Sequence, residues 1–466
     1  MKAQGNQTTN RAVDRIQKQL TEYACKLTYE ALSPAAIHAA KIRVIDTLGA
    51  LIGGFFAEPS QIVRELAASM PMPDGATVIG TRLKTTPDMA AYANATTARY
   101  VEMTDFYHWP GSAEGHPSDT VTPLLAAAEH ARASGCELIT GVVLGYEVYQ
   151  RTSDNFRNPG FDHTNFACLG VATAAGKLLG LTPHQMSHCI SMAAVANNTL
   201  RQARTGHLSM FKAAASGQAG RAGVFAALLA RAGMEGPHLP FEGKAGWCDH
   251  VAKSRYALDK LGGGSEPYKI LHSEIKQRPS VGNTISSILA AEKIAPVNIK
   301  NIKHITIELY KRAVDRVGSG DHPWNPESRE TADHSAPYVV AATLMDGTVT
   351  PRSFNDAHLW NPDLRALLKK IEVVENPEFT AAYAKVPPEH RTRVTAVSND
   401  GQQLVGESGG ERELSAREKD ARIEDKFRGL TEDVLGARRV GGILDKLWHL
   451  EDLANTEDIP RAFVLG

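Results

Sequence analysis

The hydrophobic pattern over the first 260 or so positions is helical almost throughout, and the residues between the apolar stretches mark where each helix begins. Ser33-Pro34 places a capping side chain before a proline in the first turn, and Thr86-Pro87 does the same ahead of Asp88 to Arg99. Thr182-Pro183-His184-Gln185 reads as a capping box, with Gln185 at the third helical position. Further helices are predicted over 123–134, 137–152, 164–178 and 209–232. Strand-like alternation is scarce in this region.

The pattern changes near Gly262-Gly263-Gly264-Ser265. Ile302, His304, Thr306 and Glu308 alternate with Ile305, Ile307 and Leu309, the period-two signature of a strand. A second strand is predicted over 371–374. Two more, over 393–398 and 403–405, flank Asn399-Asp400-Gly401, a strong hairpin signal. Helices over 335–345 and 362–370 lie between them. Charged helices return after Gly410, over 416–427, 431–435 and 440–453. The expected fold is mainly α. A large all-α helical domain covers 1–268 and is completed by 410–466, and a smaller α+β lid domain covers 269–409.

One predicted helix stands apart. Gly206 to Lys212 runs straight into Ala213-Ala214-Ala215-Ser216-Gly217-Gln218-Ala219-Gly220-Arg221-Ala222-Gly223. Glycines at 217, 220 and 223 leave one face nearly bare backbone, which suits an interior helix. Lys212 then stands beside a buried surface, at the positive end of the helix. That is a poor place for a cation and a good place for an anion. The alternative is a lysine that snorkels to water.

Composition removes several functions. The chain of 466 residues carries 51 basic and 52 acidic side chains and no extended basic run, which disfavours nucleic-acid binding. No stretch approaches the roughly 20 apolar residues of a membrane span, and the polar N-terminus has no signal-peptide core. Neither nucleic acid nor membrane is expected as a partner. The five scattered cysteines form no Cys-x-x-Cys pair and read as reduced thiols of a cytoplasmic protein.

Common motifs fail. Gly176-Lys177 is followed by Leu178, so there is no Walker-A loop; no Gly-x-Gly-x-x-Gly follows a strand, and no Gly-x-Ser-x-Gly elbow exists. His184 and His188 share a helix face without a third metal ligand. Five groups of acid–base residues remain, mostly in loops: Asp105-Phe106-Tyr107-His108 with His116-Pro117-Ser118-Asp119; Asp162-His163-Thr164; Arg201 to Lys212, with Arg204 and His207; Lys276-Gln277-Arg278-Pro279; and Arg329 to Ser335, with Asp333-His334. Singly, each is explained by capping and turn formation. Together they suggest an anionic substrate held by Lys and Arg, with His and Asp available for proton transfer.

In this order the groups, joined by Phe241-Glu242-Gly243, resemble the MmgE/PrpD family over roughly residues 15 to 455. The resemblance implies a large all-α domain, a smaller α+β lid, a homodimer and an active site between the domains. It also implies catalysis with no metal and no organic cofactor. It assigns catalytic roles to Asp105, His116, His163, Lys212 and Lys276. The chain departs from the pattern twice. Many members have a histidine a few residues after the proline matching Pro279, where this chain has Ser280-Val281-Gly282-Asn283-Thr284. The decarboxylase branch uses a lid tyrosine upstream of the segment matching His334, where this chain has Asp321-His322.

The expected activity is a hydro-lyase reaction on a small di- or tricarboxylic hydroxy acid, with 2-methylcitrate or citrate as the model substrate. Lys212, Lys276 and Arg204 are expected to bind carboxylates, with His207 and His334 as further substrate contacts. His116 and His163 are the proton-transfer candidates, with no basis in sequence for choosing between them, and Asp105 orients or shares a proton. The rivals are an isomerase or epimerase, a decarboxylase of a related acid, a non-enzymatic helical interaction protein, and a nicotinamide enzyme.

Overall fold

The structure, a computed structural model, describes residues 12–109, 111–385, 388–409 and 414–465. Helices dominate. Ser33 Oγ accepts the Ala36 N–H at 3.2 Å, and Thr182 and Gln185 close both halves of their capping box. Thr86, by contrast, makes no capping bond, and Pro87 alone shapes the first turn of the Pro87–Tyr100 helix.

The Ala- and Gly-rich helix is Phe211–Arg231, and it lies at the centre of the helical body. It packs most extensively against the Pro87–Tyr100 and Thr164–Leu178 helices. Its glycines permit that approach. A Cβ at Gly217 would stand 2.2 Å from Thr96 Oγ1, and one at Gly223 would stand 2.7 Å from Val171 Cβ. The face is therefore small because other helices lie against it.

Apolar residues gather in two main clusters. One joins residues between Ile16 and Ile270 with Ile423 to Phe463. The other joins residues between Ile288 and Ala396. The second surrounds a four-stranded sheet with strand order Ile371–Glu375, Ile302–Leu309, Thr392–Ser398, Gln403–Ser408. The first pair is parallel, with Ile305 opposite Ile371, and the other two pairs are antiparallel. Gly401 has φ 87°, as the hairpin turn requires. The Gly282–Glu292 helix packs on this sheet and against Ala336–Asp346.

Two expectations are corrected. Residues 416–427 and 431–435 are one helix, Ala416–Leu435, because Gly429 faces open space and merely weakens the turn it occupies. A short hairpin, Pro71–Thr77 with Lys84–Thr85, lies within the helical region. Its first strand carries two prolines and a glycine and shows no alternation to read. The Ala416–Leu435 helix returns to the helical body, where Lys426 is buried against Asp46 of the Pro34–Gly54 helix. Among the described residues, no helix is long and apolar enough to cross a membrane.

Candidate active site

The chain leaves the Pro87–Tyr100 helix through Glu102, whose φ of 54° is unusual for a residue with a side chain. It then forms a two-residue strand, Asp105–Phe106, antiparallel to Glu274–Ile275. That pairing draws Lys276 up to Glu102. Glu102 is buried and accepts Lys276 Nζ at 2.6 Å, both terminal nitrogens of Arg99 at 2.8 and 3.1 Å, and Lys212 Nζ at 3.1 Å. Lys212 also reaches Asp333 at 3.1 Å, and Arg329 holds the other oxygen of Asp333 at 3.2 Å. Burial alone would raise the Glu102 carboxyl; Arg99, Lys212 and Lys276 hold it well below the usual carboxylate range. Burial also pulls the Lys276 ammonium down to about 8, against the attraction of Glu102.

In front of this ion cluster lies a cavity of about 270 Å³, the size of a small-molecule pocket. Its wall on the helical body includes His116, His163, Arg201 and Arg204; residues after 280 contribute Asn283, Arg316, His334, Tyr383 and His390. Asp162 accepts Arg204 at 3.0 Å and Arg201 at 3.6 Å, and these guanidinium groups hold it ionised despite its burial. Arg204 Nη1 is buried and has no hydrogen-bond partner among the described residues.

Two histidines stand edge to face with ring centroids 5.1 Å apart. His116 Nδ1 lies 2.6 Å from the carbonyl oxygen of Asp105, which can only accept. The proton is therefore on Nδ1, and neutral His116 carries its lone pair on Nε2. Burial, with Arg99 and Lys276 nearby, keeps it neutral far below the usual histidine range. The Tyr149 hydroxyl accepts the His116 backbone N–H at 2.8 Å; its other partner among the described residues is His163 Nδ1 at 3.3 Å, and donating to it is what satisfies the buried hydroxyl proton. His163 then carries its proton on Nε2, and burial lowers its pKa to about 3. The two rings thus present a free base and an N–H.

Of the residues singled out from sequence, His116, His163, Arg204 and His334 line the cavity. Lys212 and Lys276 stand behind its wall, and the anions beside them are Glu102 and Asp333. The carboxylate of Asp105 turns away, accepting the Ser118 N–H at 3.0 Å and the Tyr146 hydroxyl at 2.9 Å, so it shapes the loop that carries His116. His207 is not brought in. It is exposed, with its ring 6.2 Å from that of His322, because the loop before the 211–231 helix runs along the surface there. Sequence reasoning missed Glu102 and Arg99, for which the only signal is a charged pair three apart at a helix end. It also missed Tyr383 and His390. Among the described residues no group of three or more ligating side chains is placed to hold a metal; His184 and His188 face each other at 3.3 Å, and His188 Nδ1 accepts the Gly236 N–H at 3.0 Å.

A helical body, a sheet-bearing lid segment and a cavity setting paired imidazoles against guanidinium groups define an acid–base pocket for a small anion. The chain belongs to the MmgE/PrpD family: the family's N-terminal domain matches residues 18–258 and its C-terminal domain residues 280–450. It is similar to the 2-methylcitrate dehydratase of Escherichia coli O157:H7, 26% identical over 396 residues, 80% of each chain. The human cis-aconitate decarboxylase is 25% identical over 451 residues, 91% of this chain and 89% of that protein. The probable 2-methylcitrate dehydratase of Saccharomyces cerevisiae is 25% identical over 423 residues, 84% of this chain and 80% of that one.

Proposed function

We propose that the protein is a hydro-lyase that dehydrates a small di- or tricarboxylic hydroxy acid, with 2-methylcitrate or citrate as the model substrate. The observation that carries this reading is His116, a neutral imidazole whose free Nε2 lines a cavity shared with Arg201 and Arg204. In this scheme the guanidinium groups hold a carboxylate, and Nε2 of His116 takes the proton from the adjacent carbon. The electron pair forms the alkene as the carbon–oxygen bond breaks. The imidazolium of His116 returns its proton to the departing hydroxyl, and water leaves, while the Nε2–H of His163 steadies the leaving oxygen. Lys212 and Lys276 act from behind the wall, by keeping Glu102 and Asp333 charged and in place. The relatives' names support a polycarboxylic substrate. The test is alkene formation from citrate and 2-methylcitrate, followed by ultraviolet absorbance, in the wild type and in His116→Gln. Alkene from the wild type alone is expected; none from either protein would overturn the reading.

Epimerisation is a second reading, favoured by the pairing of His116 with His163 at 5.1 Å. Deuterium uptake from solvent without alkene would select it. In both readings residues 1–268 with 410–466 form the body and 269–409 the lid. The protein acts in the cytoplasm as a homodimer. The exposed Ile62 and Leu66, one turn apart on the Glu58–Ala68 helix, support self-association. Sedimentation at micromolar concentration tests it.

A further inference from the structure

The cavity holds a third imidazole whose proton is also fixed. His390 sits in a box formed by Phe106, His108, Tyr310 and Tyr383, with ring centroids 6.3, 6.0, 5.5 and 5.2 Å away. Asn283 donates its amide N–H to the Tyr310 hydroxyl at 2.9 Å. The other partner of that hydroxyl among the described residues is His390 Nδ1, also at 2.9 Å, and donating to it is what satisfies the buried hydroxyl proton. His390 must then carry its own proton on Nε2. Burial, with His108 nearby, lowers its pKa to about 4, so the ring is neutral at working pH. Asn283, Tyr383 and His390 all line the cavity, and no described residue accepts the Nε2–H of His390. A donor fixed in one tautomer by two preceding hydrogen bonds, and given no acceptor among the described residues, is matched to an oxygen that arrives with the substrate.

We propose that His390 is a substrate-binding residue, donating Nε2–H to a carboxylate or hydroxyl oxygen of the acid, with Asn283 and Tyr310 as positioning residues that set its tautomer. This rests on reading the cavity as a polycarboxylate pocket. A neutral donor suits this place. It donates to an oxygen without adding another cation to a cavity whose walls already carry Arg99, Arg201, Arg204 and Arg316 beside Glu102 and Glu114. The side chain of Asn283 also gains a purpose: it starts the relay from the segment where many family members carry a histidine.

The test is calorimetric titration of the full-length protein with citrate and with 2-methylcitrate. His390→Leu removes the donor, His390→Gln keeps an amide N–H, and Tyr310→Phe breaks the relay. His390→Leu should weaken binding about tenfold or more, and His390→Gln should recover most of that loss. Thermal unfolding of each variant checks that the fold is retained. In spectra of isotope-labelled histidine, the Nε2–H signal missing from His390→Gln identifies His390. That signal should shift on adding citrate, and Tyr310→Phe should change it without ligand. If the wild type binds neither acid, both the pocket reading and this proposal fall. If the wild type binds but His390→Leu binds equally well and the His390 signal does not move, the assignment of His390 alone falls.

Discussion

Glu102 and Lys276, 174 positions apart in the chain, meet at 2.6 Å and form the middle of a buried ion cluster that backs the cavity. Neither charge is tolerable alone at that depth. With Arg99 and Lys212 also on Glu102, and Lys212 and Arg329 on Asp333, each buried carboxylate has at least two cations against it without any ligand.

That pairing reverses what Lys212 suggests from sequence alone. Beside a helix N-terminus, with no anion in view, its removal would relieve strain. With Glu102 and Asp333 at 3.1 Å each, Lys212→Met takes one of three cations from Glu102 and one of two from Asp333. The expected cost is about 1.5–3 kcal/mol, that of hydrogen bonds to charged groups, read as a lower midpoint in denaturant. A midpoint equal to or above the wild type would show that the cluster does not depend on Lys212.

Lys276 sets an alkaline limit. Its pKa of about 8 means that the ammonium discharges as pH rises past that value, loosening Glu102 at the base of the site. The pH profile of kcat/KM should therefore fall above about pH 8. Lys276→Arg keeps its charge throughout that range, so any activity it retains should lack this limb. The same limb in Lys276→Arg would assign it to another group.

His163 links stability to acid. Its folded pKa of about 3 is depressed from an ordinary 6.5, so between those values the unfolded chain binds more protons than the folded one. Stability is thus full above about 6.5 and is lost as pH falls towards 3. His116, His334 and His390 act with the same sign. Asp119 opposes them: burial raises its pKa to about 6, so its contribution is lost as pH rises through that value. His163→Asn should reduce the slope of unfolding free energy by about 1.4 kcal/mol per pH unit within the window. Parallel pH series for the variant and the wild type would refute the linkage.

Much of this was legible in the chain. The 164–178 helix and the 302–309 strand fall where the pattern puts them: the helix is mostly small and apolar and is buried on all sides from Thr164 to Gly176, and the strand buries its alternate positions Ile305, Ile307 and Leu309. His116, His163, Arg204 and His334 reach the cavity because each sits at an element boundary that the fold turns inward. Illegible were the partners. Glu102 looks like any acid at a helix end until the Asp105–Phe106 and Glu274–Ile275 pairing brings Lys276 against it. Tyr383 ends the short Pro377–Tyr383 helix and His390 follows it, with no motif around them; the packing of Tyr310 on Tyr383, stacked at 4.3 Å, takes them to the cavity. His207 failed for the converse reason. Its sequence company was right, but its loop lies on the outside.

Tyr149 separates orientation from binding. Its hydroxyl is the one atom bonded to both the His116 backbone and His163 Nδ1, and it touches no cavity cation. Tyr149→Phe keeps the ring packed against Phe166, edge to face at 5.5 Å, and removes only the oxygen. The His116 N–H then loses its acceptor, and His163 is free to carry its proton on either nitrogen. The cost to folding should be about 1–2 kcal/mol, that of a buried hydrogen bond. Turnover should fall about 10- to 100-fold, because two proton-transfer groups lose their alignment. KM should stay within about threefold, because Arg201 and Arg204 are untouched. Steady-state kinetics on citrate or 2-methylcitrate, whichever is turned over, gives both numbers. A variant with raised KM and unchanged kcat would mean that the hydroxyl holds substrate and that the two histidines do not depend on it.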